Sequence, residues 1–276
     1  MLPIGQTSLS IYPVVDIPAG EGKRTVMVGA VPRKDVATVV AACRAGKTSP
    51  KAVDLSAAAV LRCMTRTATG NHDVATIVDI GATKVTVATR QGAHLRSVRT
   101  IALGSDDITR AIMGELDCQY DEAEKYKFSS RAGRGRTTGS AIPGEDSAPI
   151  FSEYGSVKVS DAKKNSDSDV ITSAVSTAAT GIAIEIANCV ETDASRNPSN
   201  TTRGVVLCGR GSLLLGMKEL VSDQIGVPVM LGRPWATLVP GRRTSAALDI
   251  AGDEESVMLS LATAIGLALW KDPLKS

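Results

Sequence analysis

The strongest constraint on the fold is a short segment at residues 77–88, which reads Ile-Val-Asp-Ile-Gly-Ala-Thr-Lys-Val-Thr-Val-Ala. An apolar run, a turn built on Asp79 and Gly81, and a β-branched return run predict a β-hairpin, with a further strand after Gly92. A glycine turn can offer backbone N–H groups to an anion, and an aspartate can hold a hydrated cation. The segment is therefore either a phosphate–Mg²⁺ site or only a well-formed hairpin turn.

The composition is that of an ordinary globular protein, and it excludes some functions. The 276 residues suffice for one large or two small domains. With 43% hydrophobic but only 3% aromatic residues, the core must be aliphatic, and the chain lacks an aromatic platform for stacking bases. A net charge of +2 gives no reason to expect nucleic acid as a partner. Neither a signal peptide nor a membrane-inserting apolar run is evident, so a cytoplasmic location is predicted.

The cysteines are predicted to be reduced and buried. There are five, an odd number, and they are widely spaced in apolar surroundings without a Cys-x-x-Cys or Cys/His grouping that would suggest a metal site. They are Cys43, Cys63, Cys118, Cys189 and Cys208.

Residues 1–66 predict a small α+β unit, separated by a polar segment from a larger unit at 74–276. The expected elements are strands at 7–14, 25–31 and 52–55, a helix from Arg33 to the cap Gly46, and a helix from Ser56 to about Met64.

The larger unit is expected to contain a flexible insertion at about 129–168, where Gly, Ser, Thr, Pro and Lys dominate. One strand is predicted near 156–159. The arginines at 131–136 could contact an anionic partner, although nearby acids make a solvated loop the better interpretation. Around the insertion we predict a helix capped by Ser105, a charged helix at 121–127 with a solvated face, and a helix at 169–190.

A second glycine turn, Gly209-Arg210-Gly211-Ser212, follows an apolar strand at 204–208. Ser212 is expected to cap the next helix. The turn is either a second place where backbone can approach a nucleotide or only a structural turn. A last helix, capped by Ser256, carries Gly266 and Ala268 on a small-residue face that would allow another element to pack closely.

Together these stretches resemble the PilM family of type IV pilus assembly proteins, in the actin-like ATPase superfamily. The division protein FtsA is similar in the same parts. The resemblance implies an α/β fold: an actin-like, ribonuclease H-like lobe at 74–276 whose C-terminal helix returns to a first lobe, preceded by most of a small inserted subdomain. The similar segments are 26–33, 78–82, 99–107, 122–125, 204–212 with Gly216 and Leu220, and 264–269.

The resemblance also implies a nucleotide site made of two parts. Asp79, Gly81, Ala82 and Thr83 would form the second phosphate loop, with Asp79 holding Mg²⁺ through water. The adenosine turn would consist of Gly209, Gly211 and Ser212.

Departures from the family predict that ATP and Mg²⁺ bind weakly or not at all. Nothing before Thr7 supplies the first phosphate hairpin, and residues 177–182 lack the Glu and Arg that usually hold ribose and adenine. Arg210 stands where a middle glycine is usual, which places a Cβ and a long side chain near the nucleotide. Because no residue stands out as a general base, we predict no catalytic residues and no hydrolysis.

The implied function is a non-catalytic scaffold at the inner face of the cytoplasmic membrane. Its partner would be the cytoplasmic tail of a PilN-like inner-membrane protein. The last helix, whose usual packing surface is on the missing lobe, is expected to expose its small-residue face or to self-associate. An FtsA-like division protein stays open as an alternative. A ROK-type sugar kinase is disfavoured by the 75 or so residues of folded pattern before Asp79.

Overall fold

The computed structural model describes residues 9–18, 24–64, 74–92, 94–129, 161–199, 201–234, 257 and 259–270. These residues form a hairpin with one helix and, after it, a five-stranded sheet with helices on both faces. The elements are β1 (Leu9–Pro18), β2 (Arg24–Pro32), α1 (Arg33–Ala45), α2 (Ser56–Met64), β3 (Val74–Ile80), β4 (Val85–Gln91), β5 (His94–Ile101), α3 (Ser105–Leu116), α4 (Tyr120–Ser129), α5 (Asp161–Arg196), β6 (Val205–Cys208), a 3₁₀ helix (Arg210–Leu213), α6 (Met217–Ile225), β7 (Val229–Leu231) and α7 (Ala262–Ala268).

The sheet has the strand order β5-β4-β3-β6-β7. Strands β3, β4 and β5 form an antiparallel meander, because short turns connect them, whereas β6 and β7 run parallel to β3 after helical crossovers. In this register Asp79 lies opposite Thr86 on one side and opposite Cys208 on the other. The mixed α/β architecture predicted from the sequence is confirmed.

Two aliphatic cores lie on the two sides of the sheet. The larger one packs β3, β4 and β6 against α3, α5 and α6, and includes Val78, Val87, Ile112, Ile186 and Met217. The smaller one packs the opposite side chains of these strands against α2 and α7, and includes Ile77, Ala88, Val60, Leu259 and Ala262. Because successive residues of a strand face opposite sides, Ile77 and Val78 belong to different cores.

Helix α5 explains the one membrane-span candidate among the described residues. Its part Ser168–Arg196 is long and apolar enough to cross a bilayer by length and composition. Its stripe of fully buried residues, Val175, Ala179, Ile182 and Ile186, packs into the larger core. The apolar stripe of α5 is therefore explained by its packing against the sheet in the larger core.

The N-terminal elements match the predicted order in part. Strands β1 and β2 and helix α1 form as expected, with Gly46 at the end of α1, and α1 buries none of its residues. The predicted strand at 52–55 is wrong: the Asp54 carboxylate accepts the Leu55 N–H and pairs with Arg62, which sets up the start of α2 instead.

Helix α2 packs on the large sheet, although it falls within the predicted 1–66 unit. The division at 66–74 stays a prediction, and these contacts favour a boundary in the stretch before Ser56. Helix α5 begins at Asp161, inside the predicted insertion and before the expected start at Asp169. The predicted strand near 156–159, the arginines at 131–136 and the Ser256 cap lie outside the described residues.

Candidate functional site

The candidate site lies where β3 and β6 end side by side. The chain leaves β3 toward β4 on one side and returns to β6 on the other, which makes a topological switch point. Ligands of open α/β sheets bind outside the carboxyl ends of strands at such a point. Both glycine turns predicted from the sequence follow these two strands, so the structure brings them together.

The first turn, residues 81–84, is docked on the start of α3. The Gly81 carbonyl accepts the Ser105 N–H at 3.0 Å, and the Ala82 carbonyl accepts the Asp106 N–H at 2.8 Å. A Cβ at Gly104 would lie only 2.1 Å from the Ala82 oxygen, so the close approach requires glycine there. The prediction that Ser105 caps α3 is wrong, since Gly104 is the N-cap and its N–H is accepted by the Asp107 carboxylate.

This docking decides which N–H groups remain available to an anion. The Gly81 N–H donates to the Lys84 carbonyl at 3.0 Å and closes the turn. Ala82 and Thr83 are exposed, and within the described ranges their N–H groups have no hydrogen-bond acceptor. Of the three backbone N–H groups predicted to contact phosphate, those of Ala82 and Thr83 are thus available, whereas that of Gly81 is used within the turn.

Asp79 is the penultimate residue of β3, so it precedes the turn and is not part of it. Burial raises the pKa of its carboxyl, while the charge of Lys84 and a hydrogen bond with Thr263 of α7 lower it. The side chain therefore points to the face covered by α2 and α7, where Thr263 holds it. A half-buried carboxyl whose pKa is raised by burial and which already has a protein partner is a poorer anchor for a hydrated cation than an exposed one.

The second turn packs directly against the end of β3. Gly209 has φ +78°, and a Cβ there would lie 2.4 Å from Asp79 Oδ1 and 2.5 Å from the Ile80 oxygen. A Cβ at Gly211 would lie 2.4 Å from Ile80 Cγ2. Close packing against the end of β3 therefore requires both glycines, whatever else the turn does.

Ser212 does not cap the next helix. Its hydroxyl donates to the Gly209 carbonyl at 2.7 Å inside the 3₁₀ helix. Helix α6 begins later, after Gly216 in a left-handed conformation and without a side-chain cap. The predicted serine cap of this helix is therefore wrong, and the hydroxyl instead stabilises the glycine turn.

The sequence did not reveal a buried lysine beside this site. Lys127 of α4 is only 2% exposed; its Nζ donates to the Ser105 carbonyl at 3.2 Å and to Thr109 Oγ1 at 2.9 Å, and it pairs with Glu124. Burial lowers the pKa of its ammonium, and Glu124 opposes that shift. The helix predicted to have a solvated face is thus anchored to α3. The sequence signal for this buried face was the i,i+4 spacing of Lys127 from Ala123, which is also buried.

Arg210 occupies the position where the resemblance led us to expect a glycine. Its side chain is exposed, and its guanidinium lies 4.9 Å from the ring centroid of Phe128 on α4. Lys127 Nζ lies 5.0 Å from the same ring. This cation–π geometry gives Arg210 a structural partner on the rim of the site.

Two family models match the chain. The model of the cell division protein FtsA matches residues 76–266, and the model of the type IV pilus assembly protein PilM matches residues 6–138. No curated protein sequence matches the chain.

Solved structures of actin-like proteins have the same fold. A PilM–PilN type IV pilus biogenesis complex contains a chain with 23% identity and a TM-score of 0.66, covering 95% of this chain and 65% of its own. The ethanolamine utilization protein EutJ from Carboxydothermus hydrogenoformans has 16% identity and a TM-score of 0.51, covering 92% of this chain and 64% of its own. This chain thus spans about two thirds of the length of either protein.

The FtsA model covers more than half of the residues and includes the five-stranded sheet except the first two residues of β3. The chain therefore belongs to the FtsA family of actin-like proteins, and its fold is PilM-like.

Proposed function

We propose that this chain is a type IV pilus assembly protein, a non-catalytic cytoplasmic scaffold that binds the cytoplasmic tail of a PilN-like inner-membrane protein. Two observations support the pilus role. The PilM model matches the N-terminal hairpin and α1 together with the first part of the sheet, and the structure with a TM-score of 0.66 is a PilM–PilN complex. On this proposal the chain works at the inner face of the cytoplasmic membrane through its partner.

The state of Asp79 is the main support for a non-catalytic role. Its carboxyl is half-buried and has Thr263 as a hydrogen-bond partner, and Gly209 packs against it. The Gly81 N–H is used by the turn itself. A triphosphate with Mg²⁺ would therefore meet few free donors at this end of the sheet. We propose that ATP and Mg²⁺ bind weakly or not at all and that no hydrolysis follows.

The partner is tested by binding to a synthetic peptide. The peptide carries the cytoplasmic tail of a single-span inner-membrane pilus protein encoded beside this chain, and a scrambled peptide of equal charge is the control. We expect saturable binding to the authentic tail only. Equal binding of both peptides, or of neither, would contradict the proposed partner.

Nucleotide binding is tested separately, so that one result does not decide the other. A fluorescent ATP analogue with Mg²⁺ is titrated into the chain, and phosphate release is followed in the same buffer. We expect no saturable signal at micromolar nucleotide and no release above the buffer rate. Turnover that is lost in an Asp79→Asn variant would show that the chain is an ATPase.

An FtsA-like role in cell division is the second candidate, because the FtsA model covers nearly all of the sheet, the candidate site and most of α7. The two roles predict different places in the cell. A fluorescently tagged chain would collect at the division site if it served division, and with the pilus machinery if it served pilus assembly. Growth of filamentous, undivided cells after deletion would favour the division role.

A further inference from the structure

A cavity of about 300 Å³ lies away from the candidate site, between the edge strand β5 and the last turn of α5. Its wall contains three arginines and a single acid. The lining residues are Arg96, Ser97, Val98 and Arg99 of β5, and Asp193, Arg196 and Asn197 at the end of α5.

A β-bulge gathers two of these arginines on one side of the sheet. Thr89 pairs with Ser97 and Arg90 pairs with Leu95, so Arg96 has no cross-strand partner in the register. Such an extra residue re-aims its side chain. Arg96 pairs with Asp193 of α5 and is thereby placed beside Arg99, on the α5 side of the sheet.

The charges of the cavity are not balanced. Asp193 is 4% exposed and is engaged by Arg96, and Asn197 donates to its backbone carbonyl at 3.1 Å. Arg99 and Arg196 form no ion pair with any of the described residues. The carbonyl end of α5 offsets about half a charge. Among the described residues that line the cavity, the three arginines and one aspartate therefore leave a net charge of roughly +1.5.

We propose that this cavity binds a phosphate monoester. Guanidinium groups bind phosphate oxygens through paired N–H bonds, and a monoester carries about −1.5 to −2 charges at pH 7, which matches the cavity. The volume of about 300 Å³ leaves room for a small organic group beside the phosphate. Arg96 is held by Asp193, whereas Arg99 and Arg196 are the groups that the ligand would order.

The site is tested by calorimetric titration of the whole chain with glycerol phosphate in buffer of low ionic strength. We expect one saturable site in the native chain. Arg99→Gln and Arg196→Gln should each weaken binding about tenfold, because each removes one charge-assisted contact, and the double variant should not bind detectably. Arg110→Gln changes an exposed arginine of α3 outside the cavity and should bind like the native chain.

A phosphatidic acid headgroup carries the same chemistry, and a vesicle experiment distinguishes the two sources. Flotation with phosphatidylcholine vesicles that contain phosphatidic acid, lost in the double variant, would assign the ligand to the membrane surface. Calorimetric binding without flotation would assign it to a soluble ester. If neither ligand binds, or if the double variant binds like the native chain, the proposal is wrong. Phosphate held at the turn of residues 81–84 would be indifferent to Arg99 and Arg196 and would also contradict it.

Discussion

The two faces of the sheet are closed by helices of different origin. Helices α3, α5 and α6 come from the chain between β5 and β7 and cover one face with an aliphatic core. Helices α2 and α7 come from residues 56–64 and 262–268, on either side of the whole sheet in sequence, and meet on the other face. The first face is thus built locally, whereas the second is a seam between distant parts of the chain.

The seam is closer packed than the first face. A Cβ at Gly266 would lie 1.8 Å from the Ala59 oxygen, so α2 and α7 touch backbone to backbone. Arg62 Nη1 donates to the Gly266 carbonyl at 2.7 Å across the same contact. Asp79 of the candidate site faces this seam and is bonded to Thr263. The candidate site therefore depends on both faces: Asp79 contacts the seam, whereas the turn at residues 81–84 is docked on α3 of the first face.

The seam also corrects an expectation from the sequence. We expected α7 to expose its small-residue face or to pair with another chain. Gly266 is instead buried against α2 of the same chain, while Ala268 is exposed. The small residues were recognised correctly, but their partner could not be, because nothing local in the sequence indicates that residues 59 and 266 meet.

The largest expected effect follows from adding one methyl group to the seam. Gly266→Ala should lower the free energy of unfolding by about 3 kcal/mol, because the new Cβ overlaps the rigid backbone of Ala59 and the two helices must separate. Urea unfolding followed by circular dichroism measures the change.

Gly181→Ala is the matched control on the other face. Gly181 lies within α5, and no atom lies within 4 Å of a Cβ placed there. This substitution should raise the free energy of unfolding by about 0.5–1 kcal/mol through better helix propensity. Equal effects of the two substitutions would contradict the difference between the faces.

How much of the fold the sequence predicts depends on how local each signal is. Helix α1 starts at Arg33 and ends before Gly46 as expected, because proline, helical periodicity and glycine act within the segment. The 52–55 strand failed because four residues carry too little periodicity to outweigh the side-chain bonds of Asp54.

Only part of the candidate site could be predicted from the sequence. The glycine turns near Asp79 and Gly209 were found as motifs, and their meeting followed from a family resemblance rather than from either segment alone. Lys127 and Thr263 were missed, since a lysine in a charged helix and a threonine in an apolar one give no local sign of their distant partners. The packing that makes Gly209 and Gly211 necessary was likewise invisible before the strands were paired.

A smaller effect is expected at the contact between the seam and the site. Thr263→Val keeps the shape of the side chain but removes the hydroxyl that bonds the Asp79 carboxyl. The free energy of unfolding at pH 7 should fall by about 1 kcal/mol. Thr180→Val on α5, whose hydroxyl donates to a carbonyl of its own helix, is the comparison and should change stability less.

The pH dependence of stability gives a second test of the surroundings of Asp79. Because burial raises the pKa of Asp79 above its ordinary 3.8, the folded chain favours the protonated carboxyl. Its contribution to stability is therefore present below about pH 4 and is lost as pH rises through the folded pKa. Asp79→Asn should become more stable relative to the native chain between pH 4 and pH 7, as measured by urea unfolding.

The smallest effect is expected from a comparison of thiol reactivity on the two faces. Cys63 and Cys208 lie in the smaller core, and burial raises the pKa of the Cys63 thiol to about 11, so it stays protonated at pH 8. Cys118 and Cys189 lie half-buried beside the larger core. A maleimide should therefore label the half-buried Cys43, Cys118 and Cys189 before Cys63 and Cys208, as read by peptide mass spectrometry, because these thiols are more accessible and the thiolate is the reacting form. In the Gly266→Ala variant the seam should open more often, so the labelling rate of Cys63 should rise while that of Cys189 stays unchanged. An equal rise at both cysteines would mean that the substitution loosens the whole lobe and that the two faces do not open separately.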